Sequence, residues 1–299
     1  MIFMISRGNL DVAWIHGSPA GVGGADAPDG ADHEDGADGA EPLIQVHAHD
    51  ERTVILRQSK AVHYEAPFLY LLFGADRAIL FDTGATEDPA TFPLRVTVDG
   101  LIADWLARHP WSRSGYGLVV AHTHGHGDHI AADVQFAGRP DTTVIGPDLD
   151  SVREFFGFDA WPDQTVAFDL GGRTLELISS PGHEAAAITV YDPATGFLLT
   201  GDTVYPGRLY AGDYPAFVAT LDRIVAFSET HQVSHVMGCH IEMTRKPGVD
   251  YPSGSRYQPD EVPLQLTVAR LVAVRDAARA VADQAGIHPF DDFIIYNGV

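Results

Sequence analysis

THGHGDH, residues Thr123–His129, places four potential metal donors within six residues: His124, His126, Asp128 and His129. The preceding run Gly117–His122 is apolar and β-branched, the pattern of a buried strand, so the motif begins where a strand ends. His124 and His126, two residues apart, then point to the same side. Gly125 and Gly127 leave the backbone free to turn sharply, so that Asp128 and His129 return from another direction. Three more donors follow, each at a predicted strand end or turn: His183 after Ser180–Pro181–Gly182, Asp202 after Thr200–Gly201, and His240 after Gly238–Cys239. A single histidine, or an HxH pair, would be explained by ordinary packing. Clustered His and Asp beside turn glycines is what a catalytic metal centre requires. Imidazole with carboxylate suits zinc, manganese or iron, and the lack of thiolates in the set argues against a closed structural zinc site.

The remaining composition is compatible with that reading. With 299 residues and 45% apolar content, the chain can build a substantial core. Its formal net charge of −22 disfavours nucleic acid or an anionic membrane as a partner, since polyanions call for a clustered basic face. A small-molecule substrate is the default expectation, and self-association is left open. The one cysteine, Cys239, cannot form an intrachain disulfide. The start MIFMISRGNLDVAWIHG is interrupted by Arg7 and Asp11, which suits neither a signal segment nor a membrane span. A soluble, cytoplasmic protein is expected.

Three regions are expected along the chain: an N-terminal segment 1–17, an acidic Gly/Ala/Asp-rich mobile loop 18–42, and a domain over 43–299 ending in a helix. The lone His33 of the acidic loop is read as solvated and outside the site. Strands are expected at Thr53–Gln58, Pro67–Phe73, Ala78–Phe81 and Gly117–His122, then at Thr143–Ile145, Thr165–Phe168, Arg173–Ser179, Ala187–Tyr191, Phe197–Thr200 and Val233–Met237. Asp192–Gly196 reads as a hairpin turn. Helical periodicity marks Val98–His109, Ser151–Phe156, Pro215–Thr230 and Val262–Gln284. Two successive groups of strands with covering helices predict two sheets packed face to face with helices outside, an α/β (α+β) architecture.

Together with FDTG at Phe81–Gly84, THGHGDH, PGH at Pro181–His183, GDT at Gly201–Thr203 and GCH at Gly238–His240, the chain resembles the metallo-β-lactamase superfamily over about Val54–Glu242. The resemblance implies a four-layer αββα sandwich with two divalent metal ions, most often Zn2+ with Fe or Mn as alternatives, at one edge of the two sheets. Carried over, His124, His126 and His183 would hold the first ion, and Asp128, His129 and His240 the second. Asp202 would bridge them, and Asp82 would brace the metal loop without ligating. Retention of Asp202 sets the chain apart from true β-lactamases, which use cysteine or serine there, and nearer the thioesterase, lactonase and phosphodiesterase branches.

The resemblance implies a dinuclear hydrolase of a small ester, lactone or thioester, with a hydroxide shared between the ions as nucleophile, because coordination lowers the pKa of water to about 7. Asp128 would orient that hydroxide while remaining a ligand. Two alternatives on the same residues are a mononuclear iron oxidoreductase resembling persulfide dioxygenases and a phosphodiesterase. Tyr205, three residues after Asp202, resembles the D-x-x-Y tyrosine of acyl-homoserine lactonases and would contact the substrate oxygen; otherwise its ring packs under the loop. Arg245, Lys246 and Arg256 would anchor a carboxylate or phosphate of an anionic substrate, or else belong to a solvated loop. His122 is expected behind the ligands, and Cys239 as a buried small residue.

Overall fold

Side-chain alternation along the strands sorts the apolar residues into three separate cores, and these define the layers. A computed structural model describes residues 5–19, 41–109 and 115–298. In chain order its strands are β1 (Ile5–Arg7), β2 (Ile44–Asp50), β3 (Thr53–Gln58), β4 (Phe68–Phe73), β5 (Arg77–Phe81), β6 (Gly117–Ala121), β7 (Thr142–Val144) and β8 (Thr165–Asp169). They continue with β9 (Thr174–Ser179), β10 (Ile188–Asp192), β11 (Phe197–Gly201), β12 (Arg208–Ala211), β13 (His235–Gly238), β14 (Gln265–Leu266), β15 (Gly286–Pro289) and β16 (Ile294–Asn297). The helices are α1 (Leu94–Arg108), α2 (Gly127–Ile130), α3 (Asp133–Phe136), α4 (Leu149–Phe156), α5 (Tyr214–Thr230) and α6 (Val268–Ala280).

β1 to β7 form one sheet in sequence order, and β14-β13-β11-β10-β9-β8 form a second. One parity of the first sheet, including Ile55, Phe68, Tyr70, Ile79 and Val119, meets Leu175, Leu177, Val190, Leu199 and Met237 of the second. The opposite parity, with Leu56, Leu69, Leu80 and Val120, packs on Val98, Ile102 and Trp105 of α1. On the far side, Leu198 and Val236 bury Phe217, Leu221 and Ile224 of α5 with Leu271 and Val274 of α6. The order is helix, sheet, sheet, helix, as expected. β12, β16 and β15 add a small third sheet.

Most expected elements lie within a residue or two of the observed ones, and two do not. The helix expected from Val98 starts four residues earlier, at Leu94. Val262–Gln284 is not a single helix. Pro263 cannot donate a helical hydrogen bond, and Gln265–Leu266 instead pair antiparallel with β13. Thr267 then caps α6 by accepting from the Arg270 amide at 3.2 Å, and the helix ends at Ala280 before β15. The N-terminal segment is part of the fold, since β1 pairs parallel with β2. Most of the acidic stretch, with His33, falls on residues 20–40 and so lies outside the described residues. Its two ends meet: the Glu41 carboxylate accepts the His16 amide at 2.9 Å and the Gly17 amide at 2.9 and 3.1 Å.

The expected hairpin turn Asp192–Gly196 joins β10 to β11, and Asp192 accepts from the Ala194 and Thr195 amides inside it. The same buried carboxylate takes a two-pronged contact from Arg173, at 3.1 and 2.7 Å. Burial alone would raise its pKa, but the Arg173 hydrogen bonds and charge hold it below the ordinary carboxylate value. Because the folded pKa is the lower one, this stabilisation is present above the unfolded value of about 3.9 and fades as pH falls through the folded value. Arg173→Ala, which leaves Asp192 buried without its cation, should cost about 3–5 kcal/mol in urea unfolding at pH 7. The deficit relative to wild type should narrow below pH 4; a constant deficit across pH would contradict this account.

Candidate metal centre

The strand ends that carry the donors lie on one edge of the sandwich. β5 and β6 are parallel neighbours in the first sheet, and β11 and β13 are parallel neighbours in the second. Asp82, His124, Asp202 and His240 each follow one of these strands by one to three residues. Hydrogen bonds stitch the sheets together at this edge: the Phe68 amide donates to the Cys239 carbonyl at 2.8 Å, and the Ile188 amide to the Thr123 carbonyl at 2.9 Å. Gly201 is required by the close approach. Its φ is +52°, and a Cβ there would lie 2.6 Å from the Thr123 Cβ. Neither Gly125 nor Gly127 has a positive φ; the strained turn is at Asp82, with φ +68°.

The donors form two groups. His124 Nε2, His126 Nδ1 and His183 Nε2 lie 3.0–3.2 Å from one another. In the second group, His240 Nε2 is 3.3 Å from His129 Nε2 and 3.4 Å from both Asp128 Oδ2 and Asp202 Oδ1. His129 Nε2 is 3.6 Å from the same two oxygens. Asp202 faces both groups with different oxygens, since its Oδ2 is 3.9 Å from His124 Nε2 and 3.8 Å from His183 Nε2. All seven residues expected from the sequence therefore converge.

Four of the five imidazoles are oriented by their outer nitrogens. His124 Nδ1 reaches the Thr123 hydroxyl at 3.2 Å, His183 Nδ1 the Tyr210 carbonyl at 2.7 Å, and His240 Nδ1 the Glu65 carbonyl at 3.2 Å. His129 Nδ1 lies 3.0 Å from Asp82 Oδ2. These partners assign the inner nitrogens of His124 and His183 as lone pairs, so at most one proton, on His126, can sit among three nitrogens. Asp202 Oδ1 is buried with no hydrogen-bond partner. Such a donor set fits cations: three nitrogens in one group, two nitrogens and two carboxylates in the other, with one carboxylate shared. The residues could hold two divalent ions.

Electrostatics differ between the groups. Burial, then the charge of His129, pushes His124 well below its ordinary value, and burial also lowers His183, which keeps both rings neutral. Burial pulls on His129 too, but Asp202 and Asp82 hold it well above its usual value. His240 is likewise raised, to about 9, by Asp202 and Asp128 against the pull of burial. Burial would raise Asp128, yet its hydrogen bond with His240 and the nearby imidazoles hold it at about 2.

Asp82 matches its expected bracing role. It accepts the Thr123 amide at 2.7 Å on Oδ1, and on Oδ2 the Thr123 hydroxyl at 2.8 Å and the buried Cys239 thiol at 3.3 Å. The Glu65 and Tyr210 carbonyls escape sequence reading, because backbone groups carry no residue signature. Arg256 donates to the Ala61 and Lys60 carbonyls at 3.0 and 3.3 Å, and Arg245 faces Asp260 at 3.8 Å. Lys246 is exposed.

Tyr205 displays the packing alternative. It is buried, its ring meets His240 edge-on at 5.6 Å, and its hydroxyl donates to the Arg208 carbonyl with Glu242 Oε2 3.2 Å away. The physical cause is the close backbone beneath it: a Cβ at Gly207 or Gly238 would strike its ring or Cβ. Tyr205→Phe should lose about 1 kcal/mol of stability and leave turnover within about threefold. A large fall in kcat with unchanged metal content would restore the substrate-contacting role.

The chain is similar to known proteins. Residues 66–229 match the family model described as the metallo-beta-lactamase superfamily. The chain is 30% identical over 177 residues to a hydroxyacylglutathione hydrolase of Synechococcus sp. (strain JA-3-3Ab), covering 56% of this chain and 61% of the relative. It is 29% identical over 131 residues to a hydroxyacylglutathione hydrolase of Rhizobium meliloti (strain 1021), covering 43% and 49%. The chain thus spans about half the length of the curated relatives it matches. Among solved structures, the DIM-1 metallo-beta-lactamase exposed to ceftazidime superposes with a TM-score of 0.52 at 14% identity, over 80% of this chain and 98% of that one.

Proposed function

Because the chain belongs to the metallo-beta-lactamase superfamily, we propose that it is a metal-dependent hydrolase of a small acyl substrate, with a thioester first among the candidates. The observation that carries this reading is Asp202, whose two oxygens face the two donor groups separately. The relatives' name, hydroxyacylglutathione hydrolase, denotes cleavage of a thioester and supports that class over others. A preference for lactones would rest on Tyr205, whose hydroxyl is already engaged, so esters and lactones come second.

When bound, two divalent ions supply a nucleophile from water at neutral pH, by lowering its pKa to about 7, and polarise the scissile carbonyl. The chain's residues do the rest. Asp202 holds the two groups at a fixed separation. Asp128 is ionised at neutral pH and part-exposed, so its carboxylate can accept a hydrogen bond from the attacking water and set its direction. Access is at the His126–Asp128 edge, where His126 is exposed and a Cβ on Gly127 would meet nothing within 4 Å. A carbonyl carbon entering there meets ordered donors on two sides, which is the positioning that a hydrolytic step needs.

Zinc-loaded protein should hydrolyse acyl thioesters faster than lactones, phosphodiesters or β-lactams in a side-by-side panel. Dialysis against a chelator should abolish the activity and added Zn2+ should restore it. Asp202→Ala should lower kcat/KM by roughly a thousandfold, since several kcal/mol of charge stabilisation go with it and about 1.4 kcal/mol is tenfold. Activity that survives both metal removal and Asp202→Ala would overturn the proposal.

A further inference from the structure

A second carboxylate stands behind the centre, and none of the assigned roles uses it. Asp133 opens α3, directly after the segment that carries Asp128 and His129. Its Oδ1 accepts the Thr83 hydroxyl at 2.8 Å, and its Oδ2 lies 3.1 Å from Nε2 of the buried His122 at the exit of β6. Both ring nitrogens of His122 are buried without a hydrogen-bond partner, so its Nε2 is beside Asp133 Oδ2 in distance but makes no hydrogen bond to it. Thr83 also holds the segment by its backbone, donating its amide to the His129 carbonyl at 2.7 Å. Two residues beyond His129, the Ala131 amide donates to the Gly84 carbonyl at 3.0 Å.

The contact of Asp133 with Thr83 therefore ties the start of α3 back to α2. Asp133 accepts from the Thr83 hydroxyl, and Thr83 returns by its amide to the backbone of His129. Asp128 and His129 sit in that tied segment, and both belong to the second donor group. The first group is held by other means: Thr123 for His124 and the Tyr210 carbonyl for His183. Asp82 serves both, through Thr123 on one side and the His129 ring on the other.

We propose that Asp133, through Thr83, is a positioning residue for the second divalent ion alone, setting where Asp128 and His129 stand without touching the first group. The inference rests on the dinuclear reading above. Groups that orient ligands from behind commonly change metal affinity by about 10–100-fold, because a displaced ligand must be reordered on binding. Selectivity between the two ions is what separates this role from general support of the fold.

The test is a competition titration of the metal-free full chain with Zn2+ against a chromophoric chelator, for wild type, Asp133→Ala, Asp133→Asn and Asp82→Ala, with thermal unfolding of each as the control. In Asp133→Ala the second equivalent should weaken by roughly 10–100-fold while the first stays within about threefold. Asp133→Asn keeps an oxygen for Thr83 and should fall between Asp133→Ala and wild type. Asp82→Ala should weaken both equivalents. Co2+ in place of Zn2+ should show the loss in only one of two visible-absorption phases. Equal weakening of both equivalents in Asp133→Ala, or no weakening in it, would overturn the positioning role while leaving a two-ion wild type intact. A wild type that takes up a single equivalent would overturn the dinuclear reading and this inference together.

Discussion

The carboxylate of Asp82 is the constraint on which the rest of the site depends. It is fully buried, at the end of β5, and receives an amide, a hydroxyl, an imidazole and a thiol. Buried carboxylates are tolerated only when their lone pairs are satisfied. Here the satisfaction is shared between partners on both sheets, since Thr123 and His129 follow β6 while Cys239 follows β13. The same set of bonds that makes Asp82 bearable inside the protein therefore fixes the spacing of the two sheets where the donors emerge. Its left-handed backbone is the local cost, about 1–2 kcal/mol for a residue with a Cβ, and Asp is among the side chains that bear it best.

Much of this is legible in the sequence, for identifiable reasons. His124, His126, Asp128, His129, His183, Asp202 and His240 are readable because donor chemistry is restricted to few residue types, and because each sits beside a strand end or turn that the local sequence announces. The strands Thr53–Gln58 and Phe197–Gly201 are visible from their apolar, β-branched content. What stays hidden is relational. Pro263 inside an otherwise helical pattern is a sign that the last helix starts later, but the pairing of Gln265–Leu266 with β13 depends on a tertiary neighbour. The third sheet, with β12, β15 and β16, consists of strands of four residues each, too short for a periodic signal.

Tyr205 is an instructive difference. Its spacing from Asp202 does bring it near the centre, where its ring lies against His240. Spacing fixes distance along the chain, whereas the direction of a phenol is decided by what surrounds it. Arg208 and Glu242 take its hydroxyl, and burial together with Glu242 raises its pKa well above the ordinary value. Arg256 obeys the same rule: a cation in a turn-rich loop looks available in sequence, but its guanidinium ties that loop to the backbone at Lys60 and Ala61.

The staple at Glu41 separates the history of one segment from that of the fold. Because its carboxylate grips the amides of His16 and Gly17, the described residues on either side of the acidic stretch are held together. Closing a loop between fixed ends costs only about 0.6 kcal/mol more for each doubling of its length. The closure cost of the connection between Gly17 and Glu41 therefore depends only weakly on its length. An acceptor where Glu41 stands is thus what keeps both flanks of the acidic stretch in place.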